Sequence, residues 1–192
     1  MNLCTHMHVF GSITHGGKVD VIKKEILIAR AAIDKRVAEL ADAISRDYEG
    51  KEVILIGILK GAFIFMADLI RKLRLPCKVD FVRLASYGTG TMSSGNIMIT
   101  KDIETQIKGK DVLVVEDIVD TGLTLSFLVG KLKERYPRSL KVCVFLDKKE
   151  RRKIPFEADY IGFDIPDRFV VGYGLDFNEM YRFLPDVYEI KE

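Results

Sequence analysis

The chain has 192 residues, 48% of them hydrophobic and 30% charged, proportions that favour a single soluble globular domain. Thirty basic and 28 acidic residues give a net charge of +2, which argues against a nucleic-acid or membrane-surface partner. No segment approaches the ~20 apolar residues of a membrane span. The three cysteines are odd in number and widely spaced, which favours free thiols in a reducing cytoplasm.

Predicted strands and helices alternate along most of the chain. Residues 1–18 show no periodicity and are predicted to fray, and residues 19–28 are predicted to form a peripheral strand. Helices are predicted over 31–48, 62–73 and 122–136, and buried strands over 53–59, 79–86, 111–115, 140–146 and 159–163. This alternation predicts an α/β fold with a mostly parallel sheet and ligands beyond the carboxyl ends of its strands. Residues 87–107 lack a core pattern, and the glycine- and serine-rich part at 88–95 predicts a mobile loop or lid.

The most informative segment begins with the apolar strand at 111–115. Three acids follow it within five residues, and a glycine flanked by two threonines comes next, just before a helix. These residues are Glu116, Asp117 and Asp120, then Thr121, Gly122 and Thr124. Such a turn suits a phosphate at the N-terminus of the helix, where backbone N–H groups and the helix dipole attract an anion. The acids would repel that phosphate unless they bind sugar hydroxyls, a cation or a base nitrogen.

Residues 116–124, Glu-Asp-Ile-Val-Asp-Thr-Gly-Leu-Thr, resemble the phosphoribosyl-pyrophosphate (PRPP) motif of the type I phosphoribosyltransferases. Four further segments, at 59–61, 83–87, 146–148 and 163–176, match the hypoxanthine/guanine phosphoribosyltransferases in the same order. The resemblance implies one type I phosphoribosyltransferase domain over 19–192. Its central, mostly parallel sheet would be flanked by helices, with a small hood over the base site formed by the N-terminal part and about 150–192.

The resemblance also implies an activity. The family moves the 5-phosphoribosyl group of PRPP to N9 of hypoxanthine or guanine, giving IMP or GMP and pyrophosphate, with Mg²⁺ as cofactor. It implies purine salvage in the cytoplasm by a homodimer or homotetramer. Asp120 would lie near N7 of the purine as general acid/base, because the purine loses a proton when N9 attacks the ribose carbon. The competing interpretation of Asp120 is a helix N-cap, a position where Asp is favoured.

The remaining site residues follow from the resemblance, motif by motif. PRPP or nucleotide contacts are implied for Lys60, Gly61, Ser86, Tyr87, Glu116, Asp117, Asp120, Thr121, Gly122, Leu123, Thr124 and Arg182. Purine contacts are implied for Lys148, which would donate to O6, for Phe169, which would stack on the base, and for Val170 and Asp176. Glu116, Asp117 and Asp176 are the predicted magnesium ligands. The Lys60–Gly61 dipeptide contacts pyrophosphate in the family, and its peptide bond can be cis.

Other classes of protein fit the sequence less well. A Rossmann oxidoreductase requires G-x-G-x-x-G and a P-loop kinase requires G-x-x-x-x-G-K-[ST], and the sequence contains neither motif. The spacing of Cys4, His6, His8 and His15 does not favour a metal site. Two alternatives within the fold remain: a xanthine-preferring transferase, and a non-catalytic sensor of PRPP or nucleotide. Turnover of PRPP with a purine distinguishes the enzyme from the sensor.

Overall fold

The computed structural model describes residues 23–87 and 96–191, without the side chains of residues 86, 87 and 96. The predicted fraying segment, its cysteine and three histidines, and the glycine-rich stretch 88–95 lie outside the described residues. Among the described helices, none is both long and apolar enough to span a membrane.

A six-stranded sheet forms the centre of the fold, in the order β4-β3-β2-β5-β6-β7. All neighbouring strands are parallel except β3 and β4, which are antiparallel. The strands are β2 (Val53–Leu59), β3 (Cys77–Tyr87), β4 (Asn96–Lys101), β5 (Asp111–Val119), β6 (Ser139–Asp147) and β7 (Tyr160–Asp164). The predicted mostly parallel sheet is therefore confirmed.

Helices cover both faces of this sheet, which explains why its central strands are apolar on both sides. The helices are α1 (Arg30–Asp47), α2 (Phe63–Ile70) and α3 (Leu123–Lys133). On one face, Ile33 of α1 and Phe65 of α2 share a buried cluster with Leu113 of β5. On the other face, Leu128 of α3 packs in a second cluster with Val112 of β5. Consecutive residues of β5 thus pack into hydrophobic cores on opposite faces of the sheet.

The connections place a crevice between β2 and β5. The chain passes from β2 through α2 to β3 on one side, and from β5 through α3 to β6 on the other. Ligands of open α/β sheets bind where the strand order diverges in this way, beyond the carboxyl ends of the two central strands. Here those ends lead into Lys60 and Asp120.

A second, antiparallel sheet joins the beginning of the described chain to its end. Its order is β1-β9-β8, made of β1 (Lys23–Ile28), β9 (Val187–Lys191) and β8 (Val170–Val171). The backbone N–H of Arg30 also donates to Asp186 Oδ1 at 2.6 Å, which ties the start of α1 to the same region. The boundaries of a hood and of a single domain over 19–192 stay predictions.

The sequence interpretation missed three strands. Part of the predicted loop 87–107 is β4, an edge strand that pairs with the end of β3. β8 and β9 were also missed, since β8 has two residues and β9 depends on the distant β1 for pairing. In addition, β5 continues to Val119, four residues beyond its predicted end at 115.

Candidate active site

The acids at the end of β5 lie inside the strand, so the predicted acidic turn is wrong for Glu116 and Asp117. Glu116 is buried, and its Oε2 atom has no hydrogen-bond partner among the described residues. Burial and then the charge of Asp117 raise the pKa of Glu116 well above its usual range. Burial likewise raises the pKa of Asp117 to about 6. One buried and one half-buried carboxyl group, both short of positive charge, are suited to hydroxyl donors or a cation.

The predicted phosphate turn leads directly into α3. Gly122 is the N-cap with φ 83°, a left-handed conformation that favours glycine, and no side chain caps the helix there. Leu123 N–H approaches the Thr121 hydroxyl at 3.4 Å, and Thr124 is exposed. The N-cap interpretation of Asp120 is therefore wrong, because Asp120 precedes the cap by two residues. The open helix N-terminus suits an anion.

Asp120 lies in a cluster of charges formed with the turn after β6. The Arg151 Nε atom is 3.1 Å from Asp120 Oδ1, and the buried Lys148 ammonium is 3.8 Å from Asp167 Oδ1. Burial lowers the pKa of Lys148, while the charges of Asp120 and Asp167 oppose that shift. The Lys148 N–H donates to Val119 O at 2.9 Å, so β5 and the Lys148 turn are joined directly. Asp120 and Lys148, predicted from separate motifs, thus belong to one group.

The Lys60–Gly61 turn packs tightly against β5. The cis peptide bond is Leu59–Lys60, one bond before the predicted Lys60–Gly61. A Cβ atom added to Gly61 would lie 1.7 Å from Asp117 Oδ2, and one added to Gly174 would lie 2.2 Å from Gly61 O. Glycine is therefore required at both positions, and the contacts bring three separate chain segments together beside Asp117.

An ion-pair network continues from this turn into the segment that carries Asp176 and Arg182. The Lys60 ammonium contacts Glu179 Oε2 at 2.8 Å. The Arg182 guanidinium contacts Asp176 Oδ1 at 2.8 Å and Glu179 Oε2 at 3.3 Å. It also donates to Gly174 O at 2.7 Å. One ion-pair network thus links the three predicted residues Lys60, Asp176 and Arg182, with Glu179 between Lys60 and Arg182.

Phe169 offers an open aromatic face rather than a core side chain. Its side chain is 52% exposed, and its ring meets that of Phe177 edge-on at 5.4 Å between centroids. The following residue, Val170, is buried in β8. This arrangement suits stacking on a flat base. Ser86 and Tyr87 end β3, and their side chains lie outside the described residues.

The acids of β5 suit magnesium, although the described residues form no preformed metal site. Within residues 23–87 and 96–191, no three His, Cys, Asp or Glu side chains gather as a metal cluster. Magnesium commonly takes one or two carboxylates together with substrate oxygens and water. The unpartnered Glu116 oxygen and the adjacent Asp117 fit that requirement, whereas Asp176 is already paired with Arg182.

The sequence interpretation missed several residues that contact the predicted site, among them Arg151, Phe177 and Glu179. Arg151 belongs to the charged run 147–153, which directly follows the parallel strand β6, and that position was an available signal. Glu179 and Phe177 depend on contacts with distant segments. Nothing in their own sequence surroundings indicated those contacts.

The fold and the open helix N-terminus suit a protein that binds a phosphate ester, and a family model described as phosphoribosyl transferase domain matches residues 24–178, so the chain is a phosphoribosyltransferase. The chain is 49% identical over 171 residues to the hypoxanthine-guanine phosphoribosyltransferase of Aquifex aeolicus, with 88% of this chain and 96% of that protein covered. It is 47% identical over 165 residues to the hypoxanthine phosphoribosyltransferase of Salmonella typhimurium, with 85% and 93% covered.

A solved structure gives the same result. The crystal structure of a hypoxanthine-guanine phosphoribosyltransferase from Bacillus anthracis superposes with a TM-score of 0.85 at 47% identity, covering 88% of this chain and 99% of that one. The chain therefore belongs to the hypoxanthine-guanine phosphoribosyltransferase family of enzymes. The roles of the individual site residues stay predictions. The geometry shows which contacts each of these residues makes.

Proposed function

We propose that this enzyme salvages purines by moving the 5-phosphoribosyl group of PRPP to N9 of hypoxanthine or guanine. The products would be IMP or GMP and pyrophosphate. The observation that carries the proposal is the direct contact between the end of β5, which leads into the phosphate turn, and the turn that carries Lys148, through the 2.9 Å hydrogen bond from Lys148 N–H to Val119 O. This contact fixes Asp120 and Lys148 relative to each other, so one bound purine can meet both side chains.

For the 5-phosphate and the ribose of PRPP, the crevice offers separate protein groups. The 5-phosphate would bind the turn Thr121–Thr124 at the start of α3, where N–H groups and hydroxyls donate to it. Glu116 and Asp117 would accept from the ribose hydroxyls. Their negative charge would also favour the oxocarbenium-like carbon formed as pyrophosphate leaves.

The purine would be bound by stacking, by a backbone contact and by a side-chain hydrogen bond. Phe169 would stack on the base, the backbone of Val170 would bind its edge, and Lys148 would donate to O6. Adenine has a 6-amino group that cannot accept this hydrogen bond, so the site should reject it. As N9 bonds to the ribose carbon and the carbon–oxygen bond to pyrophosphate breaks, the purine proton would pass to Asp120. In the reverse direction Asp120 would return it to N7.

Magnesium would be held by Glu116 and Asp117, with Asp176 contributing partly through water, and it would neutralise the departing pyrophosphate. The open Glu116 oxygen supports this assignment. A cytoplasmic location and a homodimeric or homotetrameric assembly, which the sequence resemblance implies, complete the proposal.

The experiment is a spectrophotometric assay with PRPP and magnesium, run separately with hypoxanthine, guanine, xanthine and adenine. We expect turnover of hypoxanthine and guanine and none of adenine. If xanthine is the best substrate, the proposed preference for hypoxanthine and guanine is wrong. Binding of PRPP without turnover of any base would instead identify a sensor built on this fold.

A further inference from the structure

Glu179 holds a carboxylate between two cations that belong to different parts of the chain. Its Oε2 atom is 2.8 Å from the Lys60 ammonium and 3.3 Å from the Arg182 guanidinium. Lys60 follows β2, whereas Arg182 lies 122 positions further along the chain. Two cations that converge on one oxygen form an anion-binding geometry. The Glu179 side chain is 64% exposed, so packing does not force it into that position.

The anion position adjoins the proposed sugar site. Gly61, next to Lys60, packs directly against the Asp117 carboxylate. On the other side, Asp176 contacts Arg182 at 2.8 Å. A diphosphate attached to a ribose at Asp117 would therefore be adjacent to Lys60 and Arg182, which the carboxylate of Glu179 contacts in this structure.

We propose that Glu179 is an internal competitor for the diphosphate end of PRPP. In the enzyme without PRPP, its carboxylate pairs with Lys60 and Arg182. It leaves both cations when the diphosphate binds them. This inference rests on the proposed function, because it takes the diphosphate of PRPP as the displacing ligand. Glu179 would lower the affinity of the site for the diphosphate and would take no part in making or breaking covalent bonds.

Charge and anchoring support an exchange of this kind. An ionised carboxylate and a diphosphate repel each other, so both cannot occupy the same two cations. Arg182 remains fixed when Glu179 leaves, because Gly174 O and Asp176 still hold its guanidinium. For the Lys60 ammonium, in contrast, no other carboxylate within residues 23–87 and 96–191 lies within 4.0 Å. An incoming diphosphate would supply the partner that Lys60 loses.

The test is calorimetric titration of the full chain with inorganic pyrophosphate in the presence of magnesium, for the wild type and for Glu179→Gln. Glutamine keeps the size of the side chain but removes the competing charge. We expect pyrophosphate to bind about 2- to 30-fold more tightly to the variant, the factor that corresponds to two exposed ion pairs. The KM for PRPP should fall in the same direction.

Glu134→Gln is the matched control, because Glu134 is similarly exposed and pairs with Lys131 at 3.0 Å on α3. It should leave pyrophosphate binding unchanged. Weaker or equal binding to Glu179→Gln would overturn the proposal and show that Glu179 aligns the cations or is neutral. No pyrophosphate binding by the wild type would also overturn it. A wild type that binds pyrophosphate but turns over no purine would reject the proposed function, while the comparison of variants would still decide the role of Glu179.

Discussion

Replacing Gly61 with alanine tests the close packing between the turn after β2 and the acids of β5. An ideal Cβ at this position lies 1.7 Å from Asp117 Oδ2 and 2.3 Å from its Cγ, whereas ordinary contact begins at 3.4 Å. The distance to Oδ2 is thus only half of an ordinary contact. Asp117 cannot rotate away without cost, because its Oδ1 accepts a 3.0 Å hydrogen bond from Ile118 N–H. Either the carboxylate or the Lys60–Gly61 backbone must therefore move.

Two effects of Gly61→Ala should appear together. Forced overpacking costs about 1–3 kcal/mol of unfolding free energy. For a chain of this size that corresponds to a fall in Tm of about 2–12 °C, measured by thermal unfolding. A shift of ~1 Å in a group that positions substrate can cost about 10²-fold in rate, so kcat/KM for PRPP should fall by up to that factor.

A second glycine variant gives the control. Gly130 lies within α3, and a Cβ added there meets nothing within 4 Å. Gly130→Ala should therefore raise the unfolding free energy by about 0.5–1 kcal/mol, through the better helix propensity of alanine, and leave turnover unchanged. The reasoning is refuted if Gly61→Ala retains both the Tm and the kcat/KM of the wild type.

Three further predictions concern the charged groups. Asp120→Asn should lower kcat about 10²- to 10⁴-fold with a smaller change in PRPP binding, and near-normal steady-state turnover would reject the acid/base role. Lys148→Ala should lower kcat/KM for hypoxanthine and guanine about 10- to 100-fold, the value of a hydrogen bond from a charged donor, and unchanged purine kinetics would contradict the O6 contact. Asp117 has a pKa of about 6 when folded, above the ~3.9 of an unfolded Asp, so the folded state holds its proton more tightly. The stability that this proton confers is present at low pH and is lost as pH rises from about 4 through 6, by at most about 3 kcal/mol. Urea unfolding at pH 4.5 and 7 should show this loss in the wild type relative to Asp117→Asn, and a pH-independent difference between the two proteins would contradict it.

The parts of the fold that were predictable from sequence depend on local signals. The apolar run of β5, the glycine at position 122 and the apolar spacing of α3 are neighbours in sequence, so the phosphate turn could be predicted together with its flanking elements. The same holds for β2, whose side chains alternate between the two cores, and for α2, whose buried apolar residues all pack into one of them. The parallel sheet followed from the alternation of these units.

The missed features depend on partners that are distant in sequence. β9 is a strand because it pairs with β1, more than 150 positions earlier. Glu179 enters the site because Lys60, 119 positions away, binds its carboxylate. Arg151 is closer to its partner Asp120, but the two meet because β5 and β6 lie side by side in the sheet. No local pattern encodes the partners of β9 and Glu179, and the position of Arg151 after β6 indicates the site but not which acid it pairs with.

The distribution of charge in the crevice explains where substrate and magnesium should bind. At one end, Glu179 pairs with Lys60 and Arg182, and at the other end Arg151 pairs with Asp120. Between these ends, among the described residues, no basic side chain lies within 4.0 Å of Glu116 or Asp117, the acids whose pKa values are raised by burial.

Within residues 23–87 and 96–191, the middle of the crevice therefore lacks basic side chains, and the one hydrogen bond given above for these acids comes from the backbone N–H of Ile118. In the proposed reaction, ribose hydroxyls, magnesium and the oxocarbenium-like carbon all bring donors or positive charge to this point. The anionic and basic groups of the substrates go to the two ends, where they replace ion pairs that the protein already makes. Binding would thus exchange internal partners at the ends and supply missing ones in the middle. For this reason, changes at Glu116 or Asp117 should impair the reaction more than the loss of the exposed Glu179 carboxylate.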